Sequence, residues 1–470
     1  MTFAKIRQLL DNLKRSVDSL EELYSTHSLD FPSLDVPFSK SKAEDLARSP
    51  DAVNMINVCV ASAFQILLTM RHPFETLCDG SSIYQLSSCL RIAENLNIPE
   101  IIRENNSPDC HVNDIALKCD VEPTKLARIL RVLSSHHIFT ETSPDKFANN
   151  RVSSFFDSGK ETHKLKIEPA MKYKDSPGIA GYIGTFTDEV AKASSYLLET
   201  LKDKDHGKSF APDHTALQMA MNTSSVYFPW LEEPSNHYRL ERYADCIRGT
   251  SLWDPPDTIL EGYNWSSLAP GSVVVDVGGG TGAPSMIIAV EHPSLSFVIQ
   301  DREPVIAQAK EHWNNSKPDI VGSGRVSFQV HDFFKEQPQK NTAVFLVRTI
   351  CHDWPDHLVT QILRNLREAA SPSTQLLLGD YVIPYSCNDV GGEVDIAGAE
   401  SSKVPAPLLA NMGKASSNVY WIDMTMQVLL NGQERTLSHH ARLMCDAGWR
   451  PVTLNKRRNS HFGYIIAECQ

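Results

Sequence analysis

The sequence predicts an α/β protein, a doubly wound and mostly parallel sheet preceded by a mainly helical N-terminal domain. Three observations predict it. Residues 273–282 run from a valine-rich strand straight into a glycine turn. From residue 271 onward strand-like and helix-like stretches alternate, as in βαβ units. Residues 111–156 carry the spacing of a helix-turn-helix with a wing.

At 470 residues the chain is too long for one ordinary core. Two domains are expected, 1–160 and 161–470. A formal net charge of −12 argues against nonspecific nucleic-acid binding, which needs a basic surface. The 10 cysteines are scattered and hold no C-x-x-C pair, the usage of a reduced, cytoplasmic protein without a zinc site.

In the first 25 residues Ile6, Leu9, Leu10, Leu13, Val17 and Leu20 fall near helical spacing, and no apolar core of a signal peptide is present. Residues 27–42 hold Pro32, Pro37 and several serines, and read as a loop. The run 53–70 has no charge and is long enough to span a membrane. Asn54, Asn57, Ser62 and Gln65 interrupt it, so it reads as a buried or dimer-interface helix, and no membrane partner is expected. Helices at 112–117 and 124–136 and a wing at 138–140 and 147 follow. Only Lys125, Arg128 and Arg131 make the second helix basic, so the module reads as packing rather than DNA-binding. Residues 160–207 read as a connecting helix pair, and 215–249 as helical and aromatic-rich, a core stripe or an acceptor pocket.

Strands are expected at 273–277, 296–300, 326–330, 342–347 and 375–378, with helices at 304–313 and 357–370 between them. Residues 386–417, rich in Gly, Ala, Ser and Pro, read as a mobile surface insertion. Two more strands, 450–454 and 464–468, close the chain.

The glycine corner should bind a cofactor at the carboxyl ends of the strands. Asp276 lies in the first strand, Asp301 ends the second, and Asp332 follows the third. An acid ending the second strand can accept hydrogen bonds from a ribose. The spacing G-x-G-x-G at Gly278, Gly280 and Gly282 departs from the G-x-G-x-x-G of pyrophosphate sites, and no P-loop lysine follows. Acids without phosphate anchors suit a cationic sulfonium, S-adenosylmethionine. Each acid alone could equally be a loop cap.

Arg348-Thr349-Ile350-Cys351-His352-Asp353-Trp354 follows the fourth strand, at the same sheet edge. Methyl transfer to a phenol needs a base, because a phenol of pKa about 10 is protonated at neutral pH. His352 is the candidate, and Asp353, Asp380 and Glu434 are acids that could fix its tautomer. Asp353 could instead cap the following helix. Met424 and Met426 could hold a flat acceptor or lie in the core, and Trp354 reads as packing the turn. His439-His440 reads as helical surface, and no metal site is expected.

The glycine turn, Asp301, Asp332, the H-D-W at 352–354 and the N-G-Q-E-R-T at 431–436 resemble the plant- and fungal-type class I O-methyltransferases, in order, over residues 85–470. The insertion at 405–411 resembles the fungal secondary-metabolite branch. The resemblance implies a winged-helix-like dimerisation domain and a homodimer. It implies His352 as general base, flanked by Glu434 and by Asp380, where the family often has Glu. It assigns Gly278 and Gly279 to the cofactor loop, Asp301 to the ribose, and Asp332 with Phe333 to the adenine. Arg348 stands at a cofactor position where plant enzymes have Lys. The expected reaction is methylation of a phenolic hydroxyl on a small aromatic molecule. The alternatives are a ligand-sensing winged-helix regulator, a nicotinamide-dependent oxidoreductase, or non-methylating chemistry on the same fold.

Overall fold

A computed structural model describes residues 2–253, 255–387, 396–400 and 403–470. The chain forms two compact units, one of Met1–Gly207 with Ala216–Leu252 and one of Lys208–Thr215 with Trp253–Gln470.

The first unit begins with helices Thr2–Thr26 and Pro50–Met70, packed through Leu20, Tyr24 and Ala52. The second of these is not a buried helix within one chain, because only Ala52, Val58, Ala61 and Ser62 are buried along it. After helix Pro73–Asn95 comes a small sheet of β1 (Asp109–His111), β2 (Phe139–Ser143) and β3 (Lys146–Asn149), ordered β1-β3-β2. Helices Val112–Cys119 and Pro123–Ser135 sit between β1 and β2. Leu126, Leu130 and Leu133 face Ile101, Ile115, Phe139 and Phe147 in one core. This is the helix-turn-helix with its hairpin, to which β1 adds an unexpected third strand.

The unit runs well past residue 160, where the sequence reading divided the chain. Helix Ile179–Thr185 packs on helix His237–Thr250, and the contact is made at glycines. A Cβ on Gly178 would lie 2.1 Å from the backbone nitrogen of Gly249, so neither position tolerates a side chain. Buried Asp188 and Glu189 pair with Arg242 of the second helix. Tyr227, Phe228, Trp230 and Tyr243 pack on one another, so the aromatic stretch forms part of this unit's core.

The second unit carries β4 (Val273–Val277), β5 (Ser296–Asp301), β6 (Val326–Val330), β7 (Val344–Arg348), β8 (Gln375–Tyr381), β9 (Trp449–Asn455) and β10 (Phe462–Cys469). They form one sheet, ordered β6-β5-β4-β7-β8-β10-β9. The strands from β4 to β8 pair parallel, and β10 runs antiparallel to both β8 and β9. Side chains alternate between faces with period two. Val275, Val277, Phe345, Val347 and Leu376 meet helices Asp356–Ala369 and Leu437–Asp446. Val274, Val344, Leu346 and Leu377 meet the other face, with Ile288, Ile306 and Trp313. Both faces are covered, as a parallel sheet requires.

Of the expected insertion, residues 388–395 and 401–402 lie outside the described residues. Its described parts are tied down. Ala397 exchanges backbone hydrogen bonds with β9, and Asn411 Nδ2 donates to Tyr420 Oη at 2.9 Å. All 10 cysteines are free thiols.

Candidate active site

The strand order reverses at β4, which lies between β5 and β7. In such sheets the crevice at the carboxyl ends of the strands is where ligands bind. Gly278, Gly280 and Gly282 all take left-handed backbone angles there, with φ of 66°, 59° and 72°. Beneath the turn, buried Asp276 accepts a hydrogen bond from Ser285 Oγ at 2.6 Å, and burial pushes its carboxyl up to about 6. The same carboxyl crowds Gly279, where a Cβ would lie 2.5 Å from Asp276 Cγ. A Cβ on Gly278 would strike Ile350 at 2.6 Å, and Phe333 lies 3.4 Å from the same point. Gly280 faces open space. The turn is therefore bare backbone, walled by Ile350 and Phe333.

Asp301, at the end of β5, accepts the Gly280 N–H at 2.9 Å and the Arg302 N–H at 2.7 Å. Asp332 follows β6, is exposed, and accepts the Phe334 N–H at 3.0 Å. Phe333 packs edge-on against Phe334 and Trp354. Trp354 thus packs the turn, as its sequence position suggested. Arg348 packs against β10. Its guanidinium lies over the Phe462 ring, and Nε donates to Tyr464 Oη at 3.3 Å, reaching β10 across Gly379 of β8.

The second cluster forms after β7. Thr349 takes a left-handed φ of 51°, which swings the chain into a short 3₁₀ turn, Cys351–Asp353. His352 sits on that turn, nearly buried. Its Nδ1 lies 2.7 Å from Glu434 Oε1, a charge-assisted hydrogen bond. Asp380 Oδ1 stands 3.8 Å from the same nitrogen, too far for a hydrogen bond, and neither of its buried oxygens has a hydrogen-bond partner among the described residues. Asp353 Oδ1 lies 3.6 Å from Nε2, on the other side of the ring. Asp353 does not cap the next helix; Pro355 holds that position, without a side-chain cap.

Burial alone would lower the His352 imidazole. Glu434, Asp353 and Asp380 outweigh it and hold His352 up at about 10. Burial pushes Asp380 up to about 7 and Asp353 to about 6, against the pull of the histidine. Nδ1 of His352 and carboxylate oxygens of Asp380 and Glu434 lie within 4.8 Å of one another, close enough to surround a metal ion as well.

Arg435 is the residue the sequence reading passed over. It is buried, and donates to the Cys351 carbonyl at 2.6 Å, the Trp354 carbonyl at 2.7 Å and Asp356 at 3.1 Å. It therefore ties the loop bearing Glu434 to the turn bearing His352. Gln433 N–H adds a bond to the His352 carbonyl at 2.9 Å, and Gly432 leaves no room there for a Cβ. A cation beside Glu434 in the 431–436 motif was the available signal. His440 is buried rather than on the surface, and His439 bonds Asp356. Met426 is partly buried and packs against the core on the Val274 face of the sheet.

Family models match twice, the O-methyltransferase dimerisation domain over residues 78–158 and the O-methyltransferase domain over 256–392. An O-methyltransferase of Armillaria gallica is 37% identical, over 94% of each chain. The chain belongs to the S-adenosylmethionine-dependent O-methyltransferases. A 4-O-methyltransferase of Phanerochaete chrysosporium is 34% identical over 97% of each chain to this methyltransferase. Among solved structures, OxaC covers all of both chains at a TM-score of 0.69 and 18% identity, a likeness of fold. The doubly wound catalytic fold and the helical dimerisation domain expected from the sequence are those of this family, and the regulator and nicotinamide readings fall away.

Proposed function

We propose that this methyltransferase methylates a phenolic hydroxyl of a small aromatic molecule, with His352 as general base. The observation that carries the reading is the 2.7 Å bond between His352 Nδ1 and Glu434. It fixes the tautomer so that Nε2 is left to face an acceptor. The pKa values also match. A base held at about 10 takes a proton from a phenol of pKa about 10 at little cost, whereas an aliphatic hydroxyl is far less acidic.

The glycine turn fits S-adenosylmethionine on its own geometry. The backbone at Gly280 is open, the Asp301 carboxylate stands at the end of β5 beside it, and the carboxylates around the turn suit a cation. When bound, the cofactor supplies an electrophilic methyl on a sulfonium. Gly278 and Gly279 would lie against it, Asp301 would accept from the ribose, and Asp332 with Phe333 would hold the adenine. His352 Nε2 takes the acceptor proton as the phenol oxygen attacks. Glu434 stabilises the resulting imidazolium, and Arg435 holds the two elements in register. Asp380, half-protonated near neutral pH, limits the negative charge beside the histidine. Asp353 stands on the acceptor side of the ring. No metal takes part in this scheme.

The protein is a cytoplasmic homodimer in this reading, supported by its dimerisation domain and free cysteines. Isothermal titration with S-adenosylmethionine tests the site. Micromolar binding that survives in His352→Ala, together with loss of transfer, is expected. Full transfer by His352→Ala refutes the base.

A further inference from the structure

Three side chains converge beside the base: His352 from the 3₁₀ turn after β7, Asp380 from β8, and Glu434 from the 431–436 loop. Together they hold more acceptor atoms than the surrounding protein satisfies. Asp380 is 1% exposed, and neither of its oxygens has a hydrogen-bond partner among the described residues. Glu434 is buried too, and its Oε2 is likewise unpartnered. Arg435, the buried cation beside them, directs its donors elsewhere, to the Cys351, Gln433 and Trp354 carbonyls and to Asp356. A buried carboxylate without a partner is costly, and a coordinated cation would satisfy both acids at once.

We propose that His352, Asp380 and Glu434 form an inhibitory zinc site. The inference rests on the reading of His352 as general base and adds a means of switching it off. One imidazole nitrogen with two carboxylates suits Zn²⁺, whereas Mg²⁺ and Ca²⁺ prefer oxygen alone. Ligand atoms about 2.0–2.2 Å from a tetrahedral zinc lie about 3.4 Å from one another. Measured from His352 Nδ1, Glu434 Oε1 at 2.7 Å and Asp380 Oδ1 at 3.8 Å bracket that spacing. Three protein ligands leave the fourth position to water. The tautomer decides the consequence. While Glu434 holds the Nδ1–H, it is Nε2 that carries the lone pair for the acceptor proton. Zinc instead takes the lone pair of Nδ1. The imidazolium releases its Nδ1 proton to solvent and keeps the proton on Nε2, so no lone pair is left to face the acceptor. The glycine turn shares none of these ligands, so cofactor binding is unaffected.

The test is calorimetric titration of Zn²⁺ into the full chain and into Asp380→Asn, with wild-type transfer rates measured alongside at saturating S-adenosylmethionine. Both proteins carry the same 10 free thiols, so a difference between them reports this site and not the cysteines. The expected zinc dissociation constant rises at least about 100-fold in the variant, since losing a group that merely orients a ligand already costs about 10- to 100-fold. Wild-type transfer stops at the zinc concentrations that fill the site and returns with EDTA. Cofactor binding by the variant checks that it is folded. If it is not, Glu434→Gln, which also removes one ligand, replaces it with the same expected rise. Equal zinc affinity in wild type and variant overturns the site. Zinc binding that depends on these ligands but leaves transfer undiminished, or raises it, overturns the inhibition. Neither result touches the base assignment, which is decided separately by transfer from His352→Ala in zinc-free buffer.

Discussion

Glu434→Gln isolates the charge that tunes the base. Glutamine keeps an oxygen that can accept the Nδ1–H, so the orientation of His352 is retained and only the charge is lost. At an effective dielectric of about 20, unit charges 2.7 Å apart attract by about 6 kcal/mol, against about 4–5 kcal/mol for Asp380 at 3.8 Å and Asp353 at 3.6 Å. Glu434 is thus the largest support of the imidazolium. With about 1.4 kcal/mol per pH unit, its loss lowers His352 by about four units, from about 10 to about 6. The sign follows directly. The wild-type base is protonated below about 10, and a phenol is ionised above about 10, so kcat/KM of the wild type peaks near pH 10. In Glu434→Gln the acid limb moves down to about 6 while the alkaline limb, set by the phenol, stays, giving a plateau between them. At the plateau kcat falls by roughly 10- to 100-fold, because the imidazolium formed during transfer is no longer stabilised. The assay is transfer rate against pH, with histidine NMR titration of His352 in both proteins. An acid limb and a titration midpoint that stay within about half a unit of wild type refute the reasoning.

Further outcomes follow from the same geometry. Asp301→Asn removes charge-assisted acceptors, so cofactor affinity measured by calorimetry falls about 10- to 100-fold with little change in kcat. Gly282→Ala places a Cβ 2.7 Å from Trp313 Nε1 at a left-handed φ, and lowers stability by about 1–3 kcal/mol in denaturant unfolding. Prolonged EDTA treatment leaves the transfer rate unchanged; loss restored by a divalent ion would assign His352, Asp380 and Glu434 to a metal instead. Arg435→Met loosens the turn and weakens the His352–Glu434 bond, so the acid limb of the pH profile drops, as it does in Glu434→Gln.

The sheet was legible because its strands are short, apolar and bounded by turn residues. β4 and β6 fall on the residues their patterns predict, and β8 runs three residues beyond its apolar run because Gly379, Asp380 and Tyr381 still pair with β10. β1 was not legible, since Asp109-Cys110-His111 has no strand pattern and exists only by pairing with β3. The division near residue 252 rests on the contact between Gly178 and Gly249, a tertiary fact without a local signal. At the site, sequence position placed the glycine turn, Asp301 and His352 at one sheet edge. It could not place Glu434, which lies 82 residues from its histidine, except through a family motif. Nor could it orient side chains. Arg348 reaches β10 because Gly379 leaves the path open, and Asp353 stays beside Nε2 because Pro355 begins the next helix.

The most direct measurement incubates the protein with S-adenosylmethionine carrying a labelled methyl group and a panel of small phenols, and follows the products by mass spectrometry. The expected result is one labelled methyl on a phenolic oxygen of at least one acceptor, with none from His352→Ala that still binds the cofactor. Transfer by His352→Ala at the wild-type rate, or label found only on carbon or nitrogen, contradicts the account.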